Sequence, residues 1–153
     1  MSIQVGQAAP DFTLFNTDKQ EVTLSSLKGK KVVLLFFPAA FTSVCTAELC
    51  GVRDSIVDYN NTNAVVYGIS TDSVFTLIKF KEDQRLNFPL LSDYNKEVTA
   101  LYGCAYETFA MGMKGTSKRS AFVIDEAGMV KYAEVLEVAG NVPDFTQIMA
   151  ALN

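Results

Sequence analysis

The 153-residue chain contains no histidine. This rules out Cys-His and Ser-His-Asp catalysis, which depend on an imidazole base, and zinc or non-haem iron sites built on histidine ligands. Cysteine is scarce: Cys45, Cys50 and Cys104 are the only three. A four-cysteine zinc site is one ligand short. An odd, sparse set of cysteines with no export signal also argues against a structural disulfide framework. Whatever activates a cysteine here must be a backbone dipole, a hydroxyl or an arginine. Long apolar runs are missing too. The longest, Val32 to Phe37, extends through Pro38, Ala39 and Ala40 to Phe41 and is too short to span a bilayer. The opening MSIQVGQAAPDF lacks a basic stretch followed by an apolar one, so it does not read as a signal peptide. The expectation is a cytoplasmic protein that does not engage a membrane. Strong charge of one sign is also lacking: the formal net charge of -4 leaves no footprint for nucleic acid or an anionic surface.

What remains is an ordinary globular composition, 49% apolar and 20% charged. It lacks internal repeats, low-complexity tracts and linkers, and is long enough to bury a core as one domain, residues 1–153. Phe12 to Leu14 and Glu21 to Leu24 flank the polar Asn16-Thr17-Asp18-Lys19-Gln20 and predict a β-hairpin. Ser25 to Lys30 reads as a turn. Val32 to Phe37, β-branched and aromatic throughout, predicts a strand buried on both faces, ended by Pro38. Leu49, Val52, Ile56 and Tyr59 at helical spacing predict one helix from about Thr42 to Tyr59, with Thr42 and Ser43 as candidate N-caps. Ala64 to Ile69 is a second buried strand, and Ser70 to Ser73 supplies caps for a helix over Val74–Gln84. Phe88 to Leu91 is extended, Asn95 to Tyr102 a short helix stopped by Gly103, and Cys104 to Lys118 a loop. Ser120–Ile124 and Met129–Val135 form a second hairpin, and Asp144 to Leu152 a closing helix. This order implies a three-layer α/β fold with a mixed sheet.

The most informative segment is Phe36-Phe37-Pro38-Ala39-Ala40-Phe41-Thr42-Ser43-Val44-Cys45. A buried strand stops at a proline, a short loop follows, and a cysteine falls in the first turn of a helix. In open α/β sheets ligands bind beyond the carboxyl ends of the strands. The first N–H groups of a helix lack internal partners and carry roughly half a positive charge between them. They favour the thiolate, which is the nucleophilic form of cysteine. The Thr42 hydroxyl, three residues earlier, lies within reach of the sulfur or of a bound oxygen. Taken alone, a cysteine among apolar residues is usually inert packing, and an arginine at a strand end, such as Arg119 beside Lys118, is usually solvated.

The ordered motifs change that balance. Pro38-x-x-x-Thr42-x-x-Cys45 resembles the PxxxTxxC signature of the peroxiredoxins. Ala9-Pro10-Asp11-Phe12, Glu48 with Arg53-Asp54, Phe88-Pro89-Leu90-Leu91-Ser92-Asp93 and Arg119-Ser120-Ala121-Phe122-Val123-Ile124-Asp125 resemble further segments of that family, in order, from about Val5 to Leu136. The resemblance implies a thioredoxin-like α/β sandwich with an N-terminal hairpin. It also implies a thiol peroxidase that uses no metal, haem or flavin and reduces hydrogen peroxide and organic hydroperoxides. Cys45 would be the peroxidatic cysteine, Thr42 would hydrogen-bond peroxide and sulfur, Pro38 would shield the pocket and Arg119 would face the sulfur. Thioredoxin or another thiol would be the reductant.

The cysteine that resolves the resulting sulfenic acid is less tightly specified. Cys50, five residues after Cys45, resembles the resolving cysteine of the bacterioferritin-comigratory, or Q, class. Five residues of helix advance roughly 7.5 Å and turn about 140°, whereas a disulfide needs Cα atoms about 4.4–6.8 Å apart. A Cys45–Cys50 bond therefore requires the first turns to unwind. The unbroken Phe36–Thr42 segment is instead similar to the AhpE-like class, whose simplest members use one cysteine, so Cys104 and an external thiol remain alternatives to Cys50. Phe41, Phe80, Phe88, Tyr102, Tyr106 and Phe109 are expected in the core or the pocket wall. Phe109 and Met111 are the residues to place at a subunit contact, if the chain is a homodimer rather than a monomer. The competing functions are a thioredoxin-type thiol-disulfide oxidoreductase, whose Cys-x-x-Cys is absent, and a peroxide sensor or holdase.

Overall fold

The computed structural model describes residues 3–153. Its centre is a seven-stranded mixed sheet in the order β2-β1-β5-β4-β3-β6-β7. Strand β3 (Lys31–Phe36) pairs in parallel with β4 (Ala64–Ser70), and β4 in parallel with β5 (Leu90–Ser92). Strands β1 (Thr13–Asn16), β2 (Glu21–Thr23), β6 (Ser120–Ile124) and β7 (Val130–Val135) join antiparallel.

The two-residue period of β3 divides the core. Val33, Leu35 and Phe37 face one cluster, which includes Leu49 and Val52 of α1 (Ser43–Asp54), Tyr59 of α2 (Ile56–Asn60), Leu77 and Phe80 of α3 (Val74–Gln84), and Ile148 and Leu152 of α5 (Phe145–Leu152). Val32, Leu34 and Phe36 face the other, with Phe12, Leu24, Phe122 and Val98 of α4 (Glu97–Leu101), and with Tyr102 just after it. There Phe12, Phe36 and Phe122 surround the Tyr102 ring at centroid distances of 5.3–5.9 Å, and the Tyr102 hydroxyl donates to Pro10 O at 2.7 Å. Such ring pairs contribute about 0.5–1.5 kcal/mol each beyond the area they bury. The three-layer mixed sheet follows the sequence expectation, and strand β3 is buried on both faces as predicted.

Several boundaries differ from the sequence reading. The helix expected from Thr42 to Tyr59 is two: Ser55 leaves helical geometry (φ -111, ψ 11) and separates α1 from α2. Asp54 and Ser55 are weak helix formers that compete for the backbone, and Tyr59 stays in the core after the break. The expected turn at Ser25 to Lys30 begins instead as a 3-10 turn over Leu24–Leu27. Helix α4 starts at Glu97 and not Asn95, because Lys96 is left-handed (φ 64) and the buried Asp93 carboxylate accepts the N–H groups of Val98 and Thr99. The segment Cys104 to Lys118 is an irregular hairpin: Lys118 N–H donates to Cys104 O and Tyr106 N–H to Thr116 O, around one 3-10 turn over Ala110–Gly112.

Two parts of this frame position the site. The β3–β6 register pairs Phe36 with Ser120, so residue 119 falls opposite the point where β3 leaves the sheet. Helix α1 begins just after that point.

Candidate active site

Cys45 is the third residue of α1 and is buried. Arg119, equally buried, donates from Nη2 to Cys45 Sγ at 3.2 Å. Its Nη1 donates to Glu48 Oε1 at 2.6 Å, and Nε and Nη2 donate to Ala139 O at 3.2 and 3.0 Å. The guanidinium is thus locked in place by two residues of α1 and by the loop after β7, through the planar fork that arginine has and lysine lacks. Burial works against the Arg119 charge, but Cys45 and Glu48 outweigh it and hold the group above its ordinary value. Pro38, Ala39, Thr42, Ser43, Val44, Phe109, Ala139 and Gly140 complete a cavity of about 180 Å³ around Cys45 and Arg119. A larger cleft of about 590 Å³, walled by Phe15, Phe75 and Leu101 among others, shares no lining residue with it.

Thr42 occupies the N-cap position, with extended geometry, but its side chain does not cap. The hydroxyl donates back to Ala39 O at 2.7 Å, while the carbonyl accepts from Thr46 N and Thr46 Oγ1. The first-turn N–H groups of α1 are therefore not consumed by the Thr42 side chain, and Thr42 itself is exposed at the cavity wall. The preceding loop is held under strain. Phe41 sits at φ 65, which costs about 1–2 kcal/mol for a residue with a Cβ. Two contacts hold it there: Asp72 Oδ2 accepts the Ala40 N–H at 2.8 Å, and the Phe41 ring packs edge-on against Phe80 at 5.1 Å. Phe41, expected in the core or pocket wall, is half exposed.

The other two cysteines have different surroundings. Cys50 is half-buried on the same unbroken helix, with Sγ 3.6 Å from Gln84 Oε1. Cys104 is buried in the second core cluster, where its thiol donates to Thr99 O at 3.6 Å and burial pushes it up to about 12. All three cysteines are free. The structure brings together Cys45, Arg119, Thr42 and Pro38, and leaves Cys50 one and a half turns of helix away.

Sequence reasoning gave Arg119 its place but missed what holds it. Glu48 entered only as part of a similar segment. Yet it lies three residues after Cys45, on the same helix face, and that spacing was the available signal. Its side chain is fully buried and one oxygen, Oε2, has no hydrogen-bond partner among the described residues. Burial raises the Glu48 carboxyl from 4.5 to about 7, against the pull of the Arg119 charge and hydrogen bond. Ala139 and Asp72 carried no signal: one acts through a main-chain carbonyl, the other reaches across 32 residues. Among the described residues no group of three or more Cys, Asp or Glu side chains is placed to hold a metal ion.

Comparison with known proteins gives a consistent picture. Residues 5–133 match the AhpC/TSA family. The chain is 43% identical over 131 residues to a putative peroxiredoxin bcp of Coxiella burnetii, covering 85% of this chain and 87% of that protein. It is 36% identical over 156 residues to alkyl hydroperoxide reductase E of Mycobacterium tuberculosis, covering 98% of each. The fold is similar to the crystal structure of peroxidoxin BcpB from the same organism, with a TM-score of 0.86 at 34% identity over 98% of this chain and 96% of that one.

Proposed function

Because this chain belongs to the AhpC/TSA family and is a peroxiredoxin, we propose that its peroxidase chemistry runs through Cys45 in the pocket that Arg119 closes. The protein is a thiol-dependent peroxidase, with a peroxide as substrate and a thiol as reductant. The observation that carries the assignment is the 3.2 Å bond from Arg119 Nη2 to Cys45 Sγ, two buried residues at the base of a small open pocket. A fixed cation and a helix N-terminus favour the thiolate there.

The thiolate attacks one peroxide oxygen in line with the O–O bond. The S–O bond forms as the O–O bond breaks, and Cys45 becomes a sulfenic acid. The leaving oxygen gains negative charge, which Arg119 and the first N–H groups of α1 stabilise. The Thr42 hydroxyl, donating to Ala39 O, keeps its lone pairs for the peroxide hydrogen. Pro38 walls the cavity. Hydrogen peroxide and small organic hydroperoxides fit its volume.

Cys50 is the proposed resolving thiol. Its helix must unwind before the two sulfurs can meet, and the strain stored at Phe41 lies at the end where that unwinding would begin. Thioredoxin is the proposed reductant, in a cytoplasmic protein acting as one domain over residues 1–153. Met111, almost fully exposed, and Phe109 offer the face for a homodimer; without that contact the chain works as a monomer.

The test compares two activities of the reduced protein. Stopped-flow mixing with hydrogen peroxide should give second-order consumption far faster than a free thiol at the same pH, and much faster than reduction of a disulfide substrate. A faster disulfide reaction would instead favour a thioredoxin-type oxidoreductase.

A further inference from the structure

Two acids share one buried cation in this site. Arg119 donates to Cys45 Sγ and to Glu48 Oε1, and its remaining bonds go to a neutral carbonyl, Ala139 O. Among the described residues no second arginine or lysine pairs with Glu48. Its Oε2 is buried without a hydrogen-bond partner among the described residues. Among the described residues the other groups around it add no positive charge. Tyr59 of α2 lies nearby, its hydroxyl made a weaker acid by burial and then by the Asp58 and Glu48 charges, and the cavity past that helix face is walled by Val142 and by Phe145 of α5. With Cys45 and Glu48 both ionised, the buried cluster would hold two negative charges against one positive. A bare carboxylate oxygen out of water is costly, and the group escapes that cost by taking a proton.

We propose that Glu48 is a charge-balancing, positioning residue for the peroxidase reaction: it is protonated while Cys45 is a thiolate, and gives up its proton when Cys45 becomes a sulfenic acid. The inference rests on the reading of Cys45 as the peroxidatic thiolate. Thiolate, hydroperoxide and Glu48 carboxylic acid become sulfenic acid, alcohol or water, and Glu48 carboxylate. The sulfur is oxidised by two electrons, the O–O bond is reduced, and the proton needed by the leaving oxygen is matched by the one Glu48 sheds. The cluster carries one negative charge against the Arg119 positive charge before and after the step. Because the two acids are coupled through one cation, the titration belongs to the pair. The burial that raises Glu48 to about 7 is in keeping with this.

The test is a proton count. Reduced Cys50→Ser protein, in which the sulfenic acid cannot pass to Cys50, is mixed with slightly less than one equivalent of hydrogen peroxide. The solution is weakly buffered at about pH 6 and contains an indicator dye. Thiolate absorbance before mixing and mass analysis after it report the state of Cys45 in the same sample. The expected result is about zero protons taken from solution per sulfur oxidised, and about one when Glu48→Gln is added. In infrared difference spectra a protonated-carboxyl band should vanish on peroxide addition. If Cys45 starts as thiolate, is oxidised, and still draws one proton from solution without loss of that band, the inference is overturned while the function stands. If Cys45 is not oxidised at all, the functional reading itself fails. The count on protein with Glu48 intact decides the matter even if Glu48→Gln folds poorly.

Discussion

Cys45 and Cys104 are buried to the same degree, one in each core cluster, on opposite faces of the same sheet. What separates them is the surrounding charge. Cys104 has a carbonyl acceptor, and burial pushes it up to about 12, with Asp93 adding to the rise and Ser120 and Lys118 only partly opposing. Cys45 has Arg119 at 3.2 Å and the start of α1. Burial alone makes a thiol inert; burial beside a fixed cation and open helix N–H groups makes it a nucleophile.

Serine substitution should give the widest separation. Cys45→Ser should abolish peroxide reduction and leave the fold intact, whereas Cys104→Ser should leave the rate within about twofold, as measured by peroxide consumption with excess thiol. A dead Cys104→Ser enzyme that still folds would break the comparison. Next, Arg119→Ala should make Cys45 behave more like Cys104. Combined with Glu48→Gln, so that no unpaired acid stays buried, it should slow Cys45 oxidation by about 100-fold or more in stopped-flow assays. A rate close to that of the unaltered protein would mean that the cation is not the difference.

The smallest effect concerns stability. Glu48 is raised from 4.5 to about 7, so between those values the folded state binds more protons than the unfolded one. Stability should therefore fall as pH rises through that window and level off above it. Chemical denaturation of Glu48→Gln across the same pH range should lack that fall. An unchanged slope would place it in other groups.

Much of this architecture was legible from periodicity. The apolar run of β3 and the helical spacing over Val74–Gln84, with its Ser73 cap, appear in the structure as read, the cap accepting the Thr76 N–H. The break at Ser55 and the left-handed Lys96 were not legible, because each depends on a tertiary partner or a local competition that periodicity does not encode. In the site, Cys45 and Thr42 followed from local chemistry, but a solvated Arg119 was the better reading of that residue without the family motifs. Its burial comes from β3–β6 register and from a carboxylate 71 positions away. Thr42 was expected to be a helix cap, and its bond to Ala39 O shows instead that the cap position and the capping hydrogen bond can part company.

The most direct test of the account is to add one equivalent of hydrogen peroxide to the fully reduced protein and map all three sulfurs by mass spectrometry. The account predicts one oxygen on Cys45 at the earliest time, then a Cys45–Cys50 disulfide accompanied by loss of helical signal, with Cys104 unmodified throughout. First oxidation at Cys104 or Cys50, with Cys45 still a thiol, would contradict it.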